Sequence, residues 1–553
     1  MALKDPLAVT YEAIRSQFEW SEAWDAFDGT PDRLNMGHEM AGKHDGIDEV
    51  AIRIVDFDDG SEETLTYAEI RERGNQFANF LDALGLERGD RVAAMMDPRG
   101  PLYATIVGTL LGGYVYVPLY TLFGPEALTY RLENSETKVF VTTPEHREKI
   151  DPEAIESLER VVVVDAERAD TPFSAVSEFE TTYRTAETAA DDVCALQYTS
   201  GTTGDPKGVE MYHGALVSLY PYTKYAADLR ENDVFFGPAP PAWSYGLFYC
   251  TAMPLHQRTE LVTIRGAFDP AAFFDAIQAH EVTNLFAPPT AFRQLAQLDL
   301  DVSGTEFDVR RIYSGGESLG ASVVEWVEET FGTTPLEHYG FTEGGMLVNN
   351  YPTAEWEVRP GSMGKPVPGR EVELLALDAD EPVDVGETGE IAVRIPDDES
   401  TEFPTFAESY YGMPEKSERK FGGEWLRSDD LARKDEDGYF WYVSRADDVI
   451  ISAGYRIGPS EVEDSVLEHD AVAEVGVVGL PDDERGQIVA AFVVPADGVD
   501  PSAELAEDIR TDVRQRLSKH EYPRRVEFVD ELPKTASGKI QRYQLEATYG
   551  AAD

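Results

Sequence analysis

A loop rich in glycine and hydroxyl side chains follows a short apolar run at residues 193–196. Its sequence is Tyr198-Thr-Ser-Gly-Thr-Thr-Gly-Asp-Pro-Lys207-Gly-Val. The glycines free backbone N–H groups, the serine and threonines offer hydroxyls, and Lys207 adds an ammonium, a set that suits a polyphosphate. A P-loop would need Gly-Lys-Ser/Thr at the start of a helix, whereas Pro206 precedes Lys207 and Gly208 follows it. The loop therefore predicts a phosphate site of another kind, with a plain polar surface loop as the alternative.

This loop resembles the signature of the adenylate-forming superfamily, which comprises acyl-CoA synthetases, free-standing adenylation domains and beetle luciferases. The further segments described below match the superfamily in chain order, so that the resemblance extends from Leu65 to Arg542. Such collinearity is more specific than any one motif. The resemblance implies ATP, Mg²⁺ and coenzyme A as cofactors. It also implies these ATP-binding residues in the loop: Thr199, Ser200, Gly201, Thr202, Thr203, Gly204 and Lys207.

Two segments supply residues for the adenine and the phosphates. Ser314-Gly-Gly-Glu317 would lie against a flat adenine, since glycine has no side chain to block it. The resemblance places Gly316, Glu317 and Glu337 at the adenine. In Tyr339-Gly-Phe-Thr342-Glu343, the hydroxyl can bond a phosphate oxygen and the carboxylate can hold Mg²⁺, a hard cation that takes oxygen ligands. The resemblance makes Thr342 and Glu343 catalytic, whereas an ordinary helix start is the alternative.

A third segment, Trp425-Leu-Arg-Ser-Asp429-Asp430-Leu, is followed by Ser444-Arg445. The resemblance assigns Asp430 to both ribose hydroxyls, Arg445 to the nucleotide and Asp447 to the hinge. The family usually has Thr-Gly before the ribose aspartate, whereas Ser428-Asp429 stand here, so that Asp429 adds a negative charge. The acidic run Asp435-Glu-Asp is interpreted as a solvated turn.

The last segments concern coenzyme A and the reacting carboxylate. In Ala453-Gly454-Tyr-Arg456-Ile-Gly, the resemblance makes Gly454 the glycine beside pantetheine and Arg456 the nearby conformation-specific arginine. A related enzyme has Ser where Ala453 stands, so one polar contact to coenzyme A is missing. In Pro533-Lys-Thr-Ala-Ser-Gly538-Lys539, the resemblance makes Lys539 the lysine that bridges the attacking carboxylate and the α-phosphate of ATP.

The chemistry that the resemblance implies is set by charge. A carboxylate and an α-phosphate repel, so the enzyme must align them and neutralise them as charge shifts to pyrophosphate. Lys207, Arg445, Lys539 and Mg²⁺ would supply that positive field. The thiol of coenzyme A then attacks the acyl-adenylate and displaces AMP. One site that serves two reactions needs a lid that moves between them, and a hinge at Asp447 would allow that movement.

The segment Pro240-Pro241-Ala-Trp243-Ser-Tyr245-Gly246 resembles the acyl pocket of the family. Trp243 and Tyr245 would line the pocket, with a core position for Trp243 as the alternative. Acetate-activating relatives have Trp where Gly340 stands and Val where Gly315 stands. Because two glycines would leave space, the chain resembles the medium-chain branch. Acetate, branched-chain acids and aryl acids stay as alternative substrates, because an apolar cavity discriminates between acids by only about 1–3 kcal/mol per methylene.

The charge of the chain is extreme: 104 acidic against 47 basic residues give a formal net charge of −57. This balance argues against nucleic acid and against anionic membrane surfaces as partners. The acidic residues are scattered through amphipathic segments rather than gathered in one tail. Self-repulsion of this size suits concentrated salt, where the Debye length falls to about 3 Å at 1 M. We therefore expect a halophilic source, and the acidity carries no information about the substrate.

The order of short strands and amphipathic helices predicts an α/β fold. We expect a large N-terminal domain (1–446) of mixed, mostly parallel sheets flanked by helices, followed by a small mobile α+β lid (447–553). Predicted elements include a helix capped by Thr66 and Glu69, and a helix from Ser460 with Glu463 as its capping box. The uncharged segment 103–120 is interpreted as a buried helix and strand, and Cys194 and Cys250 as buried free thiols. A soluble cytoplasmic enzyme without a secretory signal is expected, for which homo-oligomerisation stays open.

Three functions are compatible with these motifs. The leading hypothesis is an ATP-dependent ligase that joins a small carboxylic acid to coenzyme A. A second is an adenylation enzyme that loads a carrier protein, although no carrier-like domain precedes the last residue, Asp553. A third is a catalytically silent binding protein, which the retention of Lys207, Glu343, Asp430, Arg445 and Lys539 argues against.

Overall fold

The computed structural model describes most of the 553-residue chain. The described residues are 5–166, 170–199, 206–298, 307–316, 319–396, 404, 406–452, 455–482, 485–496, 498–517, 522–534 and 540–550, with the backbone alone for Arg456. Six of the site residues that the sequence predicts lie outside them: Ser200, Gly201, Thr202, Thr203, Gly204 and Glu317. Gly454 and Lys539 lie outside them as well.

The strands run in chain order as follows: β1 (Val50–Asp56), β2 (Glu62–Thr66), β3 (Arg91–Met95), β4 (Val115–Pro118), β5 (Thr137–Thr142), β6 (Arg160–Val163), β7 (Thr171–Pro172), β8 (Val193–Thr199), β9 (Lys207–Tyr212), β10 (Val234–Phe236), β11 (Glu260–Arg265), β12 (Asn284–Phe286), β13 (Arg311–Gly315), β14 (Leu336–Phe341), β15 (Gly345–Asn349), β16 (Ser362–Pro366), β17 (Val372–Leu375), β18 (Thr388–Arg394), β19 (Ala407–Tyr410), β20 (Trp425–Lys434), β21 (Phe440–Arg445), β22 (Ile450–Ser452), β23 (Tyr455–Ile457), β24 (Val472–Asp482), β25 (Gly486–Pro495) and β26 (Arg525–Phe528).

The α-helices are α1 (Tyr11–Gln17), α2 (Trp20–Trp24), α3 (Tyr67–Leu84), α4 (Gly100–Leu111), α5 (Pro125–Asn134), α6 (Pro144–Arg147), α7 (Ala215–Ser218), α8 (Met253–His256), α9 (Pro270–Ala279), α10 (Pro289–Ala296), α11 (Ala321–Phe331), α12 (Pro414–Phe421), α13 (Pro459–Leu467), α14 (Ala503–Arg516) and α15 (Arg542–Tyr549). Short π-helical segments occupy His38–Gly42, Tyr222–Ala226 and Tyr245–Ala252, and 3₁₀ turns occupy Pro152–Ala154 and Phe173–Glu178.

Three sheets organise the described residues. The largest has the order β17-β18-β20-β21-β16-β15-β14-β13-β12-β10-β11-β1-β2, and the second has the order β19-β9-β8-β4-β3-β5-β6-β7. In the largest sheet the strands from β11 to β14 pair in parallel, and those beyond β14 pair antiparallel. The antiparallel part follows from the sequence, because few helices separate the strands after β14 and hairpins need no crossover. The architecture is thus the expected α/β fold with a large domain of mixed sheets.

The helix α3 shows that local sequence determines some boundaries. Thr66 is its N-cap: the Thr66 hydroxyl accepts from the Glu69 N–H at 3.1 Å, and the Glu69 carboxylate accepts from the Thr66 N–H at 2.9 Å. This reciprocal capping box was predicted and is confirmed. The apolar segment 103–120 also divides as predicted, into the buried helix α4 and the buried strand β4.

A third sheet lies in the C-terminal part of the chain, with the order β23-β22-β25-β24 and β26 paired to β25. Its helices are α13, α14 and α15. The prediction of a capping box at Ser460 is wrong, because α13 begins at Pro459 with Gly458 as its N-cap and without a side-chain cap. The Glu463 carboxylate instead accepts hydrogen bonds from the Val477 N–H and from Arg542. The domain boundary at Asp447 stays a prediction.

Cys194 and Cys250 are both buried and free, as expected. Burial raises the pKa of both thiols, so neither is an activated nucleophile. In the described part of the chain, no helix combines the length and the apolar character that a membrane crossing requires.

Candidate active site

A crevice of about 1630 Å³ lies between the two large sheets and the C-terminal part of the chain. Pockets for one small ligand usually measure about 300–1,000 Å³, so this crevice can hold more than one substrate. Described site residues predicted from the sequence that line it are Thr199, Lys207, Trp243, Tyr245, Gly315, Gly316, Glu337, Tyr339, Gly340, Thr342, Glu343, Asp430, Arg445 and Asp447. Residues of α13 and α15 close its other side.

The stems of the predicted phosphate loop form an antiparallel hairpin in which Thr199 on β8 lies opposite Lys207 on β9. The helix α5 holds both stems. The Tyr198 hydroxyl donates to the Asn134 side chain at 2.7 Å, and the Tyr130 hydroxyl donates to the Pro206 carbonyl at 3.1 Å. Thr199 and Lys207 therefore stand at the base of the loop with fixed backbone positions, next to the crevice.

Thr342 and Glu343 occupy the turn between β14 and β15, and not the start of a helix. The Tyr410 hydroxyl donates to a Glu343 carboxylate oxygen at 2.8 Å. The Lys207 ammonium lies 5.1 Å from the centre of the Tyr410 ring, within cation–π range. Burial raises the pKa of Tyr410 and the Glu343 carboxylate raises it further, so the phenol stays protonated as the donor. Tyr410 thus joins the lysine and the glutamate that the sequence pointed to.

Sequence reasoning missed Tyr410 because no motif spacing connects it to Glu343. Its position follows from pairing of the edge strand β19 with β9, which sets Tyr410 opposite Val209. The signal that could have found it is a tyrosine at the end of a short segment just before α12, but that pattern alone does not identify a partner strand.

Asp430 is buried, and both its carboxylate oxygens have partners. The Tyr339 hydroxyl donates to one oxygen at 2.7 Å, and the Tyr442 hydroxyl donates to the other at 3.4 Å. The Arg445 guanidinium lies 3.6 Å from Asp430 and 3.2 Å from Asp447. Because Asp430 and Arg445 are paired residues on neighbouring strands, the backbone register brings together the predicted ribose, nucleotide and hinge residues.

Asp429 occupies a left-handed backbone conformation with φ of 65°. Glycine adopts this conformation without strain, which gives a physical reason for the glycine that the family usually has there. The Asp429 carboxylate is largely exposed and pairs with Lys420 at 2.8 Å. Its charge is therefore paired with the ammonium of Lys420.

Glu337 holds two backbone segments on the predicted adenine side of the crevice. Its carboxylate accepts from the Leu319 N–H at 3.0 Å and from the Gly361 N–H at 2.9 Å. Burial raises the pKa of Glu337 even though these two donors act in the opposite direction. Gly316 has a φ of 105°, which only glycine adopts without strain. The turn after β13 is thus shaped by Gly316 and anchored through Glu337.

The acyl side of the crevice is aromatic. Trp243 lies 5.4 Å from Tyr245 between ring centres, and Tyr245 stacks on Tyr249 at 4.6 Å. Trp243 is only half-buried and faces the crevice, so a plain core position does not describe it. Tyr249 is a further crevice residue that sequence reasoning did not name.

The two glycines do not leave the space that the sequence suggested. A Cβ atom at residue 315 would lie 2.7 Å from the His338 carbonyl oxygen, and one at residue 340 would overlap the Gly345 carbonyl oxygen. Glycine is needed here because neighbouring backbone approaches closely. The wall is therefore main chain at these two positions, and the interpretation of Gly315 and Gly340 as empty volume is corrected.

The predicted hinge is followed by a partly buried ion-pair cluster. Arg542 at the start of α15 pairs with Asp448 at 3.0 Å and with Glu463 on α13 at 2.7 Å. This cluster joins the residue after Asp447 to two helices of the C-terminal part. Arg456 lies on β23, and only its backbone is described.

Comparisons with known proteins agree with this geometry. The family model described as AMP-binding enzyme matches residues 41–397, and the model described as AMP-binding enzyme C-terminal domain matches residues 461–539. An acetyl-coenzyme A synthetase of Bacillus subtilis is 36% identical, over 97% of this chain and 94% of that protein.

Solved structures are similar over nearly the whole chain. An acyl-CoA synthetase of Brucella canis has a TM-score of 0.76 at 35% identity and covers 97% of this chain and 98% of its own. The anthranilate CoA ligase AuaEII, in complex with anthranoyl-AMP, has a TM-score of 0.86 at 27% identity and covers 96% of this chain and 99% of its own. The chain belongs to the AMP-binding enzyme family and is an ATP-dependent, AMP-forming acyl-CoA ligase.

Proposed function

We propose that this ligase activates a carboxylic acid larger than acetate: a medium-chain, branched or aryl acid. The observation that carries the proposal is the lining of the acyl side, where Trp243, Tyr245 and Tyr249 are in aromatic contact and main chain lines the crevice at Gly315 and Gly340. Contact between an aromatic wall and a large apolar acid buries apolar surface and so contributes binding free energy, whereas acetate offers only one methyl group for such contact.

Acetate is the second candidate, and a specific observation favours it. The Bacillus subtilis relative, which is 36% identical over almost the whole chain, is an acetyl-coenzyme A synthetase. Because each methylene changes discrimination by only about 1–3 kcal/mol, a small rearrangement of the wall is enough to change the preferred acid.

The deciding experiment measures AMP formation at high KCl with ATP, Mg²⁺ and coenzyme A across acetate, butyrate, 2-methylbutyrate, octanoate and benzoate. A maximum at four to eight carbons or at benzoate supports the proposal, and a maximum at acetate rejects it in favour of the second candidate. Pyrophosphate exchange without coenzyme A-dependent AMP formation would instead support loading of a carrier protein.

We further propose the roles of the residues around the reacting groups. Lys207 and Arg445 neutralise the nucleotide phosphates, Asp430 binds the ribose, and Thr342 bonds a phosphate oxygen. Mg²⁺ would be held by Glu343 together with substrate phosphates, because this cation is usually bound through one or two carboxylates and substrate phosphate oxygens. The Glu343 carboxylate, which the hydrogen bond from Tyr410 orients, fits such a site, and a bound Mg²⁺ would neutralise phosphate charge.

Lys539 is proposed to bridge the attacking carboxylate and the α-phosphate. Lys539→Ala should then lose adenylate formation but still convert supplied acyl-AMP and coenzyme A to thioester. Equal loss of both half-reactions would reject this role. The complementary variant is Gly454→Leu, which should block thioester formation while pyrophosphate exchange persists. Both results would support a lid (447–553) that moves about Asp447.

A further inference from the structure

The helix α12 presents three cations to the crevice. Its basic residues Lys416, Arg419 and Lys420 have the spacing i, i+3, i+4, which places them on one face of the helix, and all three line the crevice. The acidic residues Glu415 and Glu418 are exposed and do not line the crevice, and Arg419 Nε donates to the Glu415 carbonyl oxygen at 3.3 Å. We call Lys416, Arg419 and Lys420 the cationic rim.

Two members of the cationic rim have no acidic partner. Lys420 pairs with Asp429, but Lys416 and Arg419 have no carboxylate oxygen within 4.0 Å anywhere in the described ranges. Three other cations of the crevice are paired: Arg445 with Asp447, Lys534 with Glu474, and Arg542 with Asp448. Because Lys416 and Arg419 also line the crevice, a ligand anion can supply the partner that no described carboxylate supplies in this chain of net charge −57.

The cationic rim is fixed next to the proposed phosphate-handling residues. The Ser417 hydroxyl accepts from the Tyr410 N–H at 2.9 Å and is 3.3 Å from the Tyr410 carbonyl oxygen. These bonds hold α12 against β19. The same Tyr410 contacts Lys207 through its ring and Glu343 through its hydroxyl. Lys416, which is adjacent to Ser417 in the chain, therefore lies close to the proposed phosphate-handling residues.

We propose that Lys416 and Arg419 form an anion subsite that binds phosphate groups of a substrate or product of this ligase. The proposal rests on the assignment of Lys207 and Glu343 to the nucleotide phosphates. Phosphate groups reach the crevice from two sources: the β- and γ-phosphates that leave as pyrophosphate, and the phosphates of coenzyme A. Flexible ammonium and guanidinium groups suit either source, because both bind phosphate oxygens by charge-assisted hydrogen bonds.

The subsite acts at contact distance. At the salt concentration that suits this acidic chain, the Debye length is about 3 Å, so distant charges are screened while groups in direct contact still interact. The cationic rim therefore holds a phosphate that has entered the crevice, and contributes little to long-range attraction.

The test compares the double variant Lys416→Gln/Arg419→Gln with Arg433→Gln/Arg514→Gln. The control removes two cations that also lack a carboxylate partner among the described residues but do not line the crevice. Both variants change the net charge equally, and thermal midpoints establish that both are folded. The reactions use whichever acid the enzyme turns over. If the acid class proposed above is wrong, the acid profile shows that separately, and this test is unaffected.

Two arms distinguish the sources. The first measures the KM for pyrophosphate in ATP–pyrophosphate exchange without coenzyme A. The second measures the KM for coenzyme A with supplied acyl-AMP, and repeats it with pantetheine, which has no phosphates. An increase of about five-fold in one KM, relative to the control, supports the subsite and identifies its source. If pantetheine is affected as much as coenzyme A, or if neither KM differs from the control, the proposal is overturned.

Discussion

The hydroxyl of Tyr410 donates a 2.8 Å hydrogen bond to the carboxylate of Glu343, 67 residues earlier in the chain. The same tyrosine places its ring beside the Lys207 ammonium. One side chain thereby sets the relative positions of a cation and an anion that the proposed mechanism uses on the same phosphates. A hydrogen bond to a charged group contributes about 1.5–3 kcal/mol, so its loss should be measurable in turnover.

Tyr410→Phe should lower kcat/KM for ATP in pyrophosphate exchange by about ten-fold, because Glu343 loses the donor that orients it. The ring beside Lys207 is kept. Tyr411→Phe is the matched control, since the Tyr411 hydroxyl bonds Glu136 on the other side of β19 and does not line the crevice. Equal effects of the two substitutions would show that Tyr410 has no role in orienting Glu343.

How much of this site follows from sequence depends on the distance of each contact along the chain. The capping box of Thr66 and Glu69 is complete within four residues, and it was predicted correctly. The capping box of Glu463 failed because residues far away, Val477 and Arg542, take that carboxylate. Local patterns specify caps only where no tertiary partner competes for the same side chain.

Gly340 shows a second limit of sequence reasoning. A missing side chain is equally consistent with an open cavity and with close approach of backbone, and the two differ only in three dimensions. In this structure the Gly345 carbonyl fills the direction in which a Cβ would point. The order of the motifs, by contrast, was enough to predict that Thr199, Lys207, Asp430 and Arg445 share one site, and all four line the crevice.

Gly340→Ala should therefore reduce turnover of acetate and octanoate alike, and should destabilise the protein by about 1–3 kcal/mol, because the β14–β15 hairpin must move. The measurements are the acid profile and the denaturant midpoint. Gly423→Ala is the control, since its added methyl group meets no atom closer than 3.8 Å. A changed chain-length preference with an unchanged midpoint would restore the interpretation of Gly340 as pocket volume.

The backbone at Asp429 gives a stability prediction. With φ of 65°, Asp429→Gly should be more stable than Asp429→Ala by about 1 kcal/mol, because alanine retains the left-handed strain and glycine does not. Both variants lose the ion pair with Lys420, so their comparison isolates the backbone. Urea midpoints provide the measurement, and equal midpoints would show that this strain is absent in solution.

We infer a halophilic protein from the net charge of −57, and salt dependence tests that inference. Lowering KCl from about 1 M to about 10 mM lengthens the Debye length about ten-fold, from about 3 Å to about 30 Å, and exposes the self-repulsion of the chain. The circular dichroism spectrum should then show a loss of native secondary structure, and high KCl should prevent this loss. Sucrose at matched osmolality should not replace the salt. A cooperative native fold at millimolar KCl would contradict the inference.

His213 provides a prediction of pH dependence away from the crevice. Burial lowers its pKa from 6.5 to about 3, and its Nδ1 accepts from the Met36 N–H at 3.0 Å. Between these two values the unfolded chain binds a proton that the folded protein excludes, so stability is present above pH 6.5 and falls as the pH is lowered. At pH 5 this loss amounts to about 2 kcal/mol.

His213→Asn keeps an acceptor for Met36 but removes the titrating group. The stability of wild type relative to this variant should therefore decline by about 1.4 kcal/mol per pH unit below pH 6.5. Urea unfolding at constant KCl between pH 7.5 and 5 measures the difference, and the many carboxylates cancel because both proteins carry them. A pH-independent difference would mean that the His213 imidazole becomes protonated equally easily in the folded and unfolded protein.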